Sequence, residues 1–258
     1  MLYRVLCLGD VVGAQAVEYI SHKLWNFRKD NGINFTVANG ENADPGNGIT
    51  RQSVEKLLAS GVDVITSGNH VWQKKEIRSY IDECRYLLRP ANYPSRDPGS
   101  GSVICDADGR KILVINVQGN VFMDPIGDPF DCVDSILRRE EGNYDFSVLD
   151  IHAEATAEKI ALARYFDGRI NVIVGTHTHV QTADEQVLEK GSGYITDLGM
   201  SGVQTGVLGV DKDCIIEKFR TKMPVRFLPA VGEVRVMGAV FGINDQNGIV
   251  EFVKRVEF

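Results

Sequence analysis

The chain has 258 residues, 43% of them hydrophobic, and a formal charge of −7 from 28 Lys and Arg against 35 Asp and Glu. That is apolar material for one sizeable core, and one domain spanning residues 1–258 is expected. The acidic balance and the lack of a basic run disfavour stable binding to long nucleic acid, although cations held in an acidic cleft would still attract a small phosphate ester.

Leu2 to Leu8 is an apolar run broken by Arg4 and stopped by Gly9 and Asp10, the pattern of a buried strand entering a loop. From about Gln15 to Lys29, Val17, Ile20, Leu24 and Phe27 recur at helical spacing. Asn34 to Ala38 reads as a second strand. After a Gly- and Asn-rich loop, Thr50 is placed to cap a helix that turns Val54, Leu57 and Leu58 inward and ends at Gly61. Val62 to Ile65 reads as a third strand. This alternation implies right-handed crossovers and a largely parallel sheet with helices on its faces.

The middle of the chain changes character. Val103 to Asp106 and Lys111 to Val117 flank Asp108-Gly109, a hairpin signal. Tyr144 to Asp150 and Ile170 to Gly175 return to strands, with a helix from Ala155 to Phe166 between them. Beyond Gly193, Glu233 to Phe241 and Ile249 to Val256 suggest a terminal antiparallel layer. No repeat, low-complexity tract or linker interrupts the chain.

Five scattered cysteines without a CxxC pair suit a reducing compartment, and a cytoplasmic location is expected. No apolar run approaches the roughly 20 residues of a membrane span. The short apolar start containing Arg4 is not expected to be a signal peptide.

The functional signal is where polar residues fall. Asp10, Glu41 with Asn42, Asn69 with His70, His152, and His177 with His179 each follow an apolar strand-like run. Ligand sites of α/β sheets form outside the carboxyl ends of strands, so these ends would converge on one crevice. Buried carboxylates and imidazoles are costly unless paired or bound to metal, and few basic residues lie nearby. Metal binding is the economical reading. Carboxylate, amide oxygen and imidazole suit manganese, iron or zinc, and a bridging carboxylate would favour two ions. In such pairs, about 3.5 to 4 Å apart, the cations activate a hydroxide and stabilise charge on phosphoryl oxygens.

The segments GDVVG (9–13), NGENADPGNGIT (39–50), TSGNHVW (66–72), DIHAEAT (150–156) and GTHTHVQTADEQ (175–186) resemble the calcineurin-like metallophosphoesterases. More narrowly they are similar to the YmdB-like branch, as are ITDLGMSG (195–202) and VLGVDK (207–212), so the resemblance covers nearly the whole chain. It implies an α/β sandwich with mixed β-sheets flanked by helices in α-β-β-α layers. It further implies that Asp10, Glu41, Asn42 and His179 hold one metal and Glu41, Asn69, His152 and His177 the other, with Glu41 as bridge and His70 as general acid. One departure stands out: the usual Asp-x-His of the superfamily reads Asp10-Val11-Val12, and Asn42 takes part of the missing imidazole's place. An amide oxygen there favours iron or manganese over zinc. The implied activity is a phosphodiesterase acting on small cyclic nucleotides, 2',3'-cyclic and also 3',5'-cyclic. A phosphomonoesterase or protein phosphatase using the same site, and a nucleotide-binding regulator with incidental hydrolysis, are the competing readings. A homo-oligomer is expected from base rates alone.

Each residue also has an ordinary structural reading. Asp10 can cap a turn, the 39–48 loop is made of common turn formers, Asn69-His70 can open a helix, and His152 can be a satisfied core histidine. His177 and His179 are expected in an extended segment, pointing to the same side. His22, on the first helix, is read as a surface residue. Trp72, Tyr93 and Phe122 are read as packing residues rather than a base platform, and the Gln118–Pro129 loop as a surface loop rather than a flap.

Overall fold

A computed structural model of the chain describes residues 2–258. In chain order the elements are β1 (Leu2–Leu8), β2 (Asp10–Val11), α1 (Ala14–Asn31), β3 (Phe35–Asn39), α2 (Arg51–Ala59), β4 (Val64–Thr66) and α3 (Ile77–Tyr80). They continue with β5 (Ser102–Ala107), β6 (Arg110–Gln118), α4 (Pro129–Arg139), β7 (Phe146–His152), α5 (Thr156–Phe166) and β8 (Val172–Thr176). The last are β9 (Gln186–Val187), β10 (Gly193–Ile195), β11 (Met200–Val203), α6 (Lys212–Thr221), β12 (Val234–Arg235), β13 (Met237–Asn244) and β14 (Val250–Glu257).

Two sheets carry the architecture. The first has the order β14-β13-β1-β3-β4, the second β5-β6-β7-β8-β10-β9, and a small third sheet runs β12-β11-β2. Strands β1, β3 and β4 are parallel, as are β6, β7, β8 and β10. The last two long strands do not form a separate terminal layer: β13 pairs antiparallel with β1, from Leu2↔Asn244 to Leu8↔Gly238, and β14 closes the edge. Without β13, β1 would present an open edge beside the site.

Side-chain alternation explains the layering. Tyr3, Val5 and Cys7 of β1 meet Val103, Ile112, Val114 and Val148 of the second sheet in the core between sheets. Leu6 and Leu8 point the other way, onto Val17, Ile20 and Leu24 of α1 and Val54 and Leu57 of α2. On the far side, Leu113, Ile115 and Leu149 pack under Val133 and Ile136 of α4 and Leu162 and Phe166 of α5. Helix, sheet, sheet and helix therefore stack with apolar faces inward. The strand interiors are apolar on both faces because both are covered.

Local signals work as read. Thr50 accepts a hydrogen bond from the Ser53 backbone N–H at 3.3 Å and caps α2. Asp108 and Gly109, at φ 51° and 74°, form the tight turn between β5 and β6. His22 lies on the exposed side of α1, its Nε2 2.8 Å from Glu18 Oε1. No helix among the described residues is long and apolar enough to cross a membrane.

Candidate metal centre

The carboxyl ends of parallel strands from both sheets meet at one rim. Asp10 follows β1 in β2, which pairs with β11 at Met200. Glu41 and Asn42 follow β3, Asn69 and His70 follow β4, His152 is the last residue of β7, and His177 and His179 follow β8. Every residue read from the sequence as a metal ligand, and His70 with them, is brought to this rim. Asp10, Glu41, Asn42 and His152 are buried there.

Their contacts fall into two sets. In one, Asn42 Nδ2 donates to Glu41 Oε1 at 2.9 Å and lies 3.3 Å from His179 Nε2, which is 3.6 Å from Asp10 Oδ1. In the other, His152 Nε2 faces Asn69 Oδ1 at 3.1 Å, His177 Nδ1 at 3.0 Å and Glu41 Oε1 at 3.3 Å. Potential ligand atoms of Glu41, His152 and His177 all lie within 4.8 Å of one another. Glu41 belongs to both sets.

One expectation needs correction. His177 and His179 are not in extended backbone: their φ angles are 97° and 63°. They sit in a turn held from both sides. Asp10 Oδ2 accepts the His177 N–H at 3.0 Å, and Asp197 Oδ2 accepts from Thr178 N and Oγ1 at 3.2 and 2.8 Å. The anchored turn, not strand alternation, delivers both imidazoles to the cluster. The β7 strand also runs two residues beyond the expected Asp150, so His152 is inside it.

Residues to which the sequence reading gave no role orient these groups. Thr176 Oγ1 donates to Asp150 Oδ1 at 2.8 Å and lies 2.9 Å from His152 Nδ1. Its single proton is engaged by the carboxylate, so Nδ1 is a donor here and Nε2 is the ring atom turned to the cluster. Asp150 also accepts from Thr66 Oγ1 at 2.5 Å and Asn39 Nδ2 at 3.2 Å. His177 Nε2 lies 3.1 Å from Glu154 Oε2, which leaves Nδ1 facing inward. A ligating histidine commonly donates its other N–H in this way. The available signal was Asp150 itself, a carboxylate in a strand that is buried along its length. Asp197 was visible only as part of a quoted motif; it pairs with buried Lys159 at 2.7 Å.

The electrostatics of the protein alone are strained. Burial opposes charge on His152, but Glu41, Asp10 and Asp150 outweigh it and hold its pKa at about 9. Burial and the neighbouring His152 push His177 down to about 4. Burial lifts Asp150 to about 6. Burial also opposes the Glu41 carboxylate, yet His152 and His70 keep it well below the ordinary range. The cluster thus needs positive charge among its carboxylates. Asp10 Oδ1, Asn42 Oδ1 and His179 Nδ1 are buried without any hydrogen-bond partner. Such orphans are costly in a dry site. A half-turn of the Asn42 amide brings Oδ1 to the side of His179, giving an oxygen and a carboxylate ready for a cation. The donor set and the orphaned atoms fit a metal centre.

His70 sits at the edge of the cluster. Glu41 accepts its backbone N–H at 3.0 Å through Oε2 and its Nδ1–H at 3.0 Å through Oε1. Asn47 Nδ2 stands 3.2 Å from Nε2. His70, His177 and His179 line a cavity of about 470 Å³ that opens from the cluster. Trp72 and Tyr93 pack on the first core, Phe122 is 88% exposed, and none of them lines this cavity. The Gln118–Pro129 loop is tied to α5 by Glu158, which accepts the Asn120 and Val121 N–H groups at 2.8 and 3.2 Å.

The family profile of YmdB-like proteins matches residues 6–256. The chain belongs to the YmdB-like family. It is 44% identical over 253 residues to a 2',3'-cyclic-nucleotide 2'-phosphodiesterase of Bacillus subtilis (strain 168), covering 98% of this chain and 96% of that protein. Among solved structures, a hypothetical protein from Thermus thermophilus superposes with a TM-score of 0.92 at 36% identity, covering 99% of this chain and 98% of that one. A novel phosphatase from Mycoplasma pneumoniae also gives a TM-score of 0.92, at 29% identity, with 100% and 94% covered. The YmdB-like fold seen here is the calcineurin-like metallophosphoesterase sandwich expected from the sequence.

Proposed function

We propose that this chain is a metal-dependent phosphodiesterase cleaving small cyclic nucleotides, 2',3'-cyclic and also 3',5'-cyclic, at a two-metal centre. The observation that carries the reading is the pair of ligand sets meeting on Glu41, with three buried polar atoms lacking a protein partner. Asp10, Glu41, Asn42 and His179 would hold one cation, and Glu41, Asn69, His152 and His177 the other. Oxygen-rich donors at the first favour iron or manganese, with zinc a poorer match. Bound there, the cations would supply water activation and stabilise charge on the phosphoryl oxygens.

The chain's own residues do the rest. Glu41 engages the backbone N–H and Nδ1–H of His70, which leaves Nε2 on the cavity side beside Asn47. From Nε2, His70 gives its proton to the leaving alkoxide, help worth about 10² to 10⁴ in rate. Thr176 and Glu154 fix the ring faces of His152 and His177. The name of the Bacillus relative supports the substrate class. The five cysteines are unpaired, in keeping with the cytoplasm.

The test is hydrolysis of 2',3'-cyclic AMP, 3',5'-cyclic AMP, a bis-aryl phosphodiester and an aryl phosphomonoester by manganese-loaded protein against a chelated control. Metal-dependent turnover confined to the diesters is expected. Preference for the monoester makes the chain a phosphatase, and no turnover at full metal loading makes it a regulator.

A further inference from the structure

The cavity that opens from the metal cluster has a lining of two chemical kinds. Glu41, Asp44, Asn47, His70, His177 and His179 are among its polar residues, and Leu208, Val210, Phe227, Leu228 and Pro229 among its apolar ones. Phe227, Leu228 and Leu208 are about half exposed, a contiguous apolar surface that water wets poorly. This wall is built rather than loose. Val207 and Val210 exchange backbone hydrogen bonds at 2.8 and 3.0 Å, Ala230 N donates to Gly209 O at 2.9 Å, and Asp211 N donates to Leu228 O at 2.8 Å. Two irregular segments are thereby pinned together, and the side chains between them are presented to the cavity.

Resting on the phosphodiesterase reading, we infer that Phe227 and Leu228 form the base subsite, which takes the nucleobase of a cyclic nucleotide while the phosphate meets the cluster. A cavity of about 470 Å³ has the size of a small-molecule site. Phe227 and Leu228 carry no polar side-chain atom, so they hold the base by its face and not by its edges. Stacking of this kind tolerates every base, because every base has a π-face. The subsite selects nucleotides over baseless cyclic esters without choosing strongly among bases.

The experiment compares kcat/KM for 2',3'-cyclic AMP and for glycerol 1,2-cyclic phosphate, which has the reacting ring and no base. It uses manganese-loaded wild type, Phe227→Ala and Phe227→Tyr. In Phe227→Ala the ratio of the two values is expected to fall about tenfold, through KM, and Phe227→Tyr should restore it. An unchanged ratio overturns the proposal, whether both values drop together or neither moves. If wild type hydrolyses neither diester, the phosphodiesterase reading fails. The subsite is then judged by calorimetric binding of adenosine 3'-phosphate, where equal affinity of wild type and Phe227→Ala overturns it. A changed sedimentation coefficient in Phe227→Ala with an unchanged ratio places Phe227 in a contact between copies and also overturns it.

Discussion

Replacing Asp197 with alanine tests how the histidine turn is held. Lys159 Nζ lies 2.7 Å from Asp197 Oδ2, and both side chains are 1% exposed. The same carboxylate accepts from Thr178 N and Oγ1 and from Gly199 N at 2.9 Å. Asp197→Ala therefore leaves an ammonium buried without its partner, a loss of about 3 to 5 kcal/mol. For a chain of this size, where each kcal/mol shifts Tm by about 2 to 4 °C, the melting point falls on the order of 10 °C. Lys159→Met is expected to cost less, because Asp197 keeps its hydrogen-bond donors from Thr178 and Gly199. The double variant Lys159→Met with Asp197→Asn should recover part of the loss, since a neutral pair carries no desolvated charge. The assay is calorimetric unfolding of chelated protein, which removes stabilisation by bound metal. A melting point for Asp197→Ala within 2 °C of wild type, roughly one kcal/mol, would refute the reasoning.

Three further outcomes follow from the geometry. Gly68→Ala places a Cβ 2.1 Å from His152 Cδ2, so the imidazole must move; metal affinity by calorimetry should drop at least about tenfold with the circular dichroism of the fold retained. Thr176→Val removes the acceptor of His152 Nδ1–H and a donor to buried Asp150; about 1 to 3 kcal/mol of stability and about 10- to 100-fold in metal affinity should be lost, read by denaturant unfolding and by metal titration. His70→Ala should keep its metal yet lose about 10² to 10⁴ in kcat on diesters with poor leaving groups and much less on aryl esters; equal losses on both would remove His70 as the acid.

The longer strands and the place of the polar residues at strand ends were legible because they rest on short-range patterns, while the two-sheet sandwich came from the resemblance. Leu2 to Leu8 stops at Gly9-Asp10 as written, and Thr50 caps the helix it precedes. What was not legible depends on contacts distant in sequence. The pairing of β13 with β1 joins the two ends of the chain, and nothing within Met237–Asn244 says which edge it covers. The turn at His177 and His179 was misjudged because His-x-His alternation reads as a strand, whereas anchors at Asp10 and Asp197 impose positive φ. Asp150, Thr66 and Thr176 lay inside the quoted motifs without a role, because their hydrogen-bonded array exists only where the two sheets meet. The apolar wall at Phe227 and Leu228 carries no periodicity, so only its place in the cavity that His70, His177 and His179 also line gives it meaning.

The central claim is a two-metal centre whose ions are held by different histidines and share Glu41. Its most direct test is metal content per chain, by elemental analysis after manganese loading and gel filtration, for wild type, His179→Ala, His177→Ala and Glu41→Ala. Two ions are expected in wild type, one in each histidine variant and none in Glu41→Ala. Two ions retained in Glu41→Ala, or a single ion in fully active wild type, would contradict the account.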